Sequence, residues 1–182
     1  MNHQIIKKIE DSVFMDSFIV KGLDESDIDE VFDLVELCYT KDFYEIDERS
    51  RSLYYSVLSC GCSIGIYDGS VLIGILIINR KGLSGLDRTP DRLKGLDSSE
   101  AFEFMSSCVR KEYRGSHLES GMVNFAIRNI ANTGWSWCTV HKDNIPSIKC
   151  VTSNGFMLAE GNLTFIYPHK TIHNRNLYYR LN

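Results

Sequence analysis

Apolar and polar positions follow two periods along this chain, and the switches between them mark its elements. Ile28, Val31, Phe32, Val35, Cys38 and Tyr39 recur on one face of a helix. Ser26 stands before that run as a cap, with Asp27, Asp29 and Glu30 in the positive first turn. A second helix covers about 47–59, with Leu53, Tyr54, Val57 and Leu58 as its buried stripe and Gly61 as its stop. Short apolar runs at 17–21, 63–67, 71–79, 101–109 and 135–141 read as strands. Asp68 and Gly69 between two of them predict a tight hairpin in which both turn residues take positive φ. Residues 116–133 return to a helical period, with Leu118, Met122, Phe125, Ala126 and Ile130 inward and Gly134 as the close. Asn144 caps a helix reaching Ser153, with Pro146 in the first turn, where a missing N–H costs nothing. Strands at 156–167 and 176–181 complete the order βααββ, then βαβαββ. Strand-helix-strand in the second half implies a parallel pair, and the hairpins imply antiparallel strands elsewhere.

Residues 80–99 break the pattern. They hold three Gly, one Pro, five basic and three acidic residues and show no period. A polar loop of this length reads either as a lid that helps to bind an acceptor or as a mobile insertion.

Composition narrows the class. A chain of 182 residues suits one domain, spanning 1–182, with a single core. Its 43% hydrophobic and 24% charged residues are an ordinary globular balance. The net charge of −4 and the lack of a long basic run argue against nucleic acid or an anionic membrane as partner. The apolar run Val71 to Ile78 is too short to span a bilayer. The first residues lack a secretory signal's apolar segment and cleavage site, so a cytoplasmic location is expected. The six cysteines then read as thiols in a reducing compartment, four of them inside apolar-periodic segments. Cys60 and Cys62 have no second pair at metal spacing, and His169 and His173 lie four apart in a Pro-containing turn rather than a clear helix. No metal site is expected.

Two segments carry chemistry. In the first, a strand ends at Val109 and a turn of Arg114, Gly115, Ser116, His117 and Leu118 opens a helix. Amides at a helix start point outward and the dipole favours an anion, so this turn suits a phosphate. In the second, a strand ending at His141 leads to Asn144 and Ser147, then to Gly155 and Phe156. The order and spacing of both resemble the GNAT superfamily of acyl-CoA-dependent N-acyltransferases, over roughly 17–181. The hairpin of Ile66, Asp68, Gly69, Leu72 and Gly74 is similar to the same family's. The resemblance implies a mixed α/β fold: a central, mostly antiparallel sheet with one splayed parallel strand pair and helices on both faces. It implies acetyl-CoA as co-substrate, with no metal. Val109 would then pair its backbone with the pantetheine arm, residues 114 to 119 would wrap the pyrophosphate, Asn144 would also contact the arm, and Ser107 and Ser147 would belong to the same cofactor-binding set. His117 and Glu119 replace the small residues usual there, which implies weakened or altered donor binding. Val151 occupies the place of the tyrosine that commonly protonates the leaving thiolate. A CoA thiolate leaves tolerably without it at neutral pH.

Two groups are candidates for the base. Glu103 shares a strand face with Met105, Ser107 and Val109, and a carboxylate on this strand recurs in the family. His141 ends the neighbouring strand, where an imidazole can accept the amine proton at neutral pH. The reaction implied is transfer of an acetyl or other acyl group to a primary amine. Amino sugars, amino acids, polyamines and peptide N-termini all fit. Two alternatives keep the fold: a donor carried by acyl carrier protein, facing basic residues such as Arg80, Lys81, Arg88, Arg92 and Lys94, or a catalytically silent acyl-CoA-binding domain. Both monomer and homodimer are compatible with the sequence.

Overall fold

The computed structural model describes residues 12–14, 17–38, 48–167 and 170–182. The fold is mixed α/β. Its elements are β1 (Ser12–Phe14), β2 (Phe18–Gly22), α1 (Ile28–Cys38), α2 (Glu48–Leu58), β3 (Ile64–Asp68), β4 (Val71–Asn79) and β5 (Ala101–Val109). They are followed by α3 (Leu118–Asn129), β6 (Trp135–His141), α4 (Ile145–Ser153), β7 (Met157–Tyr167) and β8 (Lys170–Leu181). The strand order is β1-β2-β3-β4-β5-β6-β8-β7. The chain divides into two compact units: Met1–Asn79 with Ser106–Met122, and Arg80–Met105 with Val123–Asn182.

In the first unit β1 to β4 form an antiparallel meander. The short β1 was not evident from periodicity, because three residues carry too little pattern. β4 is buried from Leu72 to Ile78 without alternation, so both of its faces are covered. Helices α1 and α2 pack against it. Tyr54 of α2 is fully buried, meets Phe32 of α1 edge-on at 6.1 Å, and donates to Ser106 Oγ at 2.8 Å.

Three sequence expectations change here. The cap before α1 is Asp24, not Ser26: its extended backbone lets the carboxylate accept from Ser26 N–H, while the Asp27 side chain accepts from Asp24 N–H. The β3–β4 turn is one residue later than expected, since Asp68 still pairs with Val71. Gly69 takes φ 57° and Ser70 follows, matching the turn type with glycine at its first central position. Leu53 is 48% exposed, because the buried stripe of α2 runs through Ser50, Tyr54, Val57 and Leu58 and leaves Leu53 at its edge. Tyr39 and Asp47 lie outside the described residues.

The second unit is built on β6. On one side it pairs with β5 in parallel, through Ala101–Trp135, Phe102–Ser136 and Glu103–Trp137. On the other it pairs with β8 in antiparallel, from Trp135–Leu181 to His141–Arg175. β8 begins at Lys170, earlier than expected, because a long hairpin with β7 sustains it. Helix α3 starts at Leu118 and ends at Asn129, inside the expected span. At its start His117 has φ 64°, which no α-helix accommodates.

Residues 80–99 are not structureless. Leu93 is buried with Ala101, Trp135, Trp137, Phe165 and Leu177, and Leu83, Leu86 and Leu96 pack around them. The indole N–H of Trp137 donates to Lys81 O and that of Trp135 to Asp97 O, each at 2.8 Å. Ile166 N–H donates to Gly85 O at 2.6 Å, Arg92 donates to Leu158 O at 2.8 Å, and Arg88 pairs with Glu160. The segment thus straps the edge strand β7, filling backbone positions that would otherwise invite another strand.

Candidate active site

In the first unit the candidate donor residues lie where β5 ends and α3 begins. A 3₁₀ turn at Lys111–Tyr113 follows β5, and Tyr113 is fastened by its hydroxyl to Asp68 at 2.8 Å. Gly115 then takes φ 81° and His117 takes φ 64°. A Cβ on Gly115 would meet nothing within 4 Å, so glycine is needed there for backbone angle alone. His117 adopts the same left-handed region as an L-residue, at a cost of about 1–2 kcal/mol. The position keeps the geometry of a glycine without having one. The first bond to α3 runs from Gly121 N–H to His117 O at 2.9 Å, so the amides of Leu118 and Glu119 precede the helical ladder. Ser116 turns its hydroxyl back to Tyr113 O.

Beneath this turn the side chains interlock. Arg114 donates through Nε to Val109 O at 3.0 Å and through Nη2 to Cys38 O at 3.4 Å. The Cys38 thiol also donates to Val109 O, at 3.4 Å. The carbonyl of Val109, a candidate partner of the pantetheine arm, therefore already accepts two bonds. Ser107 donates to the Glu119 carboxylate at 2.6 Å. Burial raises the Glu119 carboxyl pKa, against the opposing effects of the Ser107 hydrogen bond and the Arg114 charge. Glu119 thus turns inward to Ser107. Sequence reasoning placed Glu119 only as a charge competing with an anion, since periodicity does not tell which strand hydroxyl a helix residue meets.

In the second unit lie Glu103, His141, Asn144 and Ser147. Glu103 is half-buried, opposite Trp137 at the last pair of the parallel ladder. His141 Nδ1 accepts from Asp143 N–H at 3.3 Å. A neutral imidazole that accepts at Nδ1 carries its proton on Nε2, so its basic lone pair is engaged. Asn144 caps α4: its Oδ1 accepts from Ser147 N–H at 3.3 Å, and its carbonyl accepts from Ile148 N–H at 3.0 Å. At the other end of α4, Gly155 has φ 82°, Gly155 N–H bonds Thr152 O, and Phe156 N–H bonds Val151 O. This is a Schellman stop, which requires the left-handed residue. Phe156 is buried against Phe104 with ring centroids 5.5 Å apart. Gly155 and Phe156 therefore have a complete structural explanation.

The basic residues of 80–99 are largely engaged within their own unit. Arg88 and Arg92 hold β7, Lys94 pairs with Asp91 at 2.6 Å, and Arg80 lies 5.3 Å over the Phe102 ring. Among the described residues there is no cluster of three or more His, Cys, Asp or Glu placed to hold a metal ion, and no helix long and apolar enough to cross a membrane. His169 lies outside the described residues.

No protein-family profile matches the chain, and no curated protein matches it in sequence. Solved structures do match. Arabidopsis thaliana NAA60 in complex with acetyl-CoA superposes with a TM-score of 0.67 at 14% identity, covering 91% of this chain and 99% of that one. A GNAT-family acetyltransferase from Streptococcus pneumoniae gives 0.61 at 16%, covering 90% and 98%. Diaminobutyrate acetyltransferase from Paenibacillus lautus, with its substrate and coenzyme A, gives 0.64 at 11%, covering 89% and 93%. At these identities the likeness is one of fold: the chain has the architecture of the GNAT acetyltransferases.

Proposed function

We propose that this chain is an N-acyltransferase that moves an acetyl or other acyl group from acyl-CoA to a primary amine. The observation that carries the proposal is the backbone of 115–119. Gly115 and His117 both adopt positive φ and lead into the first amides of α3, an arrangement suited to a pyrophosphate. A left-handed residue that carries a side chain stores backbone strain, and such strain collects at functional turns. The GNAT architecture and the acetyl-CoA and CoA held by structural neighbours support the same reading.

The residues then divide the work. The amides from Gly115 to Glu119 receive the donor phosphates, and Arg114 stiffens the turn from below through Val109. Asn144, held rigid as the cap of α4, presents its amide to the arm with Ser147 beside it. Glu103, half-buried on β5, takes the proton from the attacking ammonium, and His141, whose Nδ1 accepts from Asp143 N–H, is the other candidate base. The free amine attacks the thioester carbonyl, the tetrahedral oxyanion collapses, and CoA leaves as thiolate. Val151 supplies no proton to it, so the leaving thiolate takes its proton from water or takes the one that the attacking nitrogen sheds as the intermediate collapses to the amide. The acceptor is a primary amine on a small molecule (an amino sugar, amino acid or polyamine) or on a peptide.

A second reading has one observation in its favour. The side chains of Ser107 and Arg114 and the carbonyl of Val109 are already bonded within the protein. That fits a silent domain with the same fold. A carrier-protein donor is less favoured, since Arg80, Arg88, Arg92 and Lys94, four of the five basic side chains that would face an acidic carrier, are engaged within their own unit. Calorimetric titration with acetyl-CoA separates the readings. Micromolar binding, lost in Asn144→Ala and followed by thiol release with an amine, supports the transferase. Binding without release by any of a panel of amines supports the silent domain.

A further inference from the structure

Tyr113 lies between the β3–β4 hairpin and the proposed donor turn, and it is bonded to both. It closes the 3₁₀ turn Lys111–Tyr113, just ahead of Arg114 and Gly115. Its hydroxyl donates to the carboxylate of Asp68, the last residue of β3, at 2.8 Å. Its ring meets Phe18 of β2 edge-on, with centroids 6.1 Å apart. Its carbonyl accepts from the Ser116 hydroxyl. The chain before it is fixed to β4: Arg110 N–H donates to Ile73 O and Arg110 Nε to Leu72 O, each at 2.8 Å. At the far end of the turn Gly121 N–H donates to His117 O at 2.9 Å, and Leu118 is buried.

We propose that Tyr113 is a positioning residue: through Asp68 it pins the upstream end of the turn and so holds His117 in its left-handed conformation. The consequence for the donor rests on the acyltransferase reading; the pin itself does not.

The physical reason is the φ of 64° at His117. A side chain makes that region unfavourable, so it persists only where the surroundings over-determine it. Helix α3 fixes the residues after His117. Before it, Gly115 at φ 81° is a hinge, since glycine takes either sign of φ about as readily. A strained residue behind such a hinge is held only if the chain ahead of the hinge is held too. Arg110 secures the start of that chain, and Arg114 grips Val109 O from below at 3.0 Å. The Tyr113 hydroxyl adds a tie to the hairpin's tip, and its carboxylate acceptor makes the bond one of the stronger, charge-assisted kind.

With the pin cut, part of the population relaxes to negative φ at 117. Donor affinity then falls in proportion to the fraction that stays competent. Glycine at 117 would stay competent without the pin. Positions 113 and 117 are therefore coupled.

The test is a double-mutant cycle in the full-length chain, pairing His117→Gly with Tyr113→Phe, which keeps the ring against Phe18. Hydrogen exchange over 114–119 comes first, because it needs no donor. Tyr113→Phe should quicken it, and Asp68→Ala should match that effect. Asp68→Asn, which still offers an acceptor, should stay near wild type. In calorimetry Tyr113→Phe should raise the acetyl-CoA Kd about fivefold, as the loss of one net hydrogen bond would. The same change made in His117→Gly should raise it no further. An equal rise in both backgrounds would show that Tyr113 does not act through His117 and would overturn the proposal. Unchanged exchange in Tyr113→Phe would overturn the pin itself. Quickened exchange in a protein that binds no acetyl-CoA would uphold the pin and remove the acyltransferase reading instead.

Discussion

His117 and Glu119 stand in the proposed donor turn where the resemblance implies small residues, and they act in different ways. His117 departs in side chain only, since its φ of 64° keeps the shape that glycine would give. His117→Gly should therefore stabilise the fold by about 1 kcal/mol, read from urea unfolding, by removing the left-handed cost. The same variant should bind acetyl-CoA more tightly by calorimetry. Glu119 departs in charge. Burial raises its pKa above the ordinary 4.5, so the folded state holds the proton longer than the unfolded one. The stability it contributes is present below pH 4.5 and is lost as pH rises through the folded value. Glu119→Gln, which still accepts from Ser107, should lack this loss. The melting temperature of the variant relative to wild type should thus climb between about pH 4 and the raised value, then level off. A flat difference across that window would show that the carboxyl is not held protonated.

At the scale of elements, α4 is defined at both ends by side-chain and backbone caps rather than by its apolar face. Removing the Asn144 cap with Asn144→Ala should cost about 1 kcal/mol in urea melts. Asn144→Ser should restore most of that stability, and if the amide also holds the donor arm it should not restore acetyl-CoA binding. Gly155→Ala should cost about 1 kcal/mol or more from its positive φ, with a Cβ already 3.4 Å from Arg180 Nε. Both ends of α4 could be read from the chain, because a cap depends on residues adjacent in sequence. The start of α1 was harder. Asp24 and Ser26 are both competent caps, and only the extended backbone at Asp24 selects it.

On the scale of whole units, the segment 80–99 is the main instance of tertiary structure overriding sequence pattern. Its leucines at 83, 86, 93 and 96 are interrupted by Gly85, Pro90 and Gly95, which break a regular element, yet they close the core around Trp135 and Trp137. Leu93→Ala should cost about 2–5 kcal/mol in urea melts, as for a buried leucine elsewhere. It should also open Arg88 and Arg92 to trypsin, which wild type should resist. The chain by itself determined the strands at 101–109 and 135–141, the caps of α4 and the positions demanding a left-handed backbone near Gly155. Those follow from local steric and hydrogen-bonding rules that act over a few residues. Tertiary structure alone decided that Ser107 meets Glu119, that Arg114 and Cys38 share the Val109 carbonyl, and that an aperiodic loop becomes a strap. Those contacts join residues far apart in the chain, and no local period encodes which distant side chain will fill a given space.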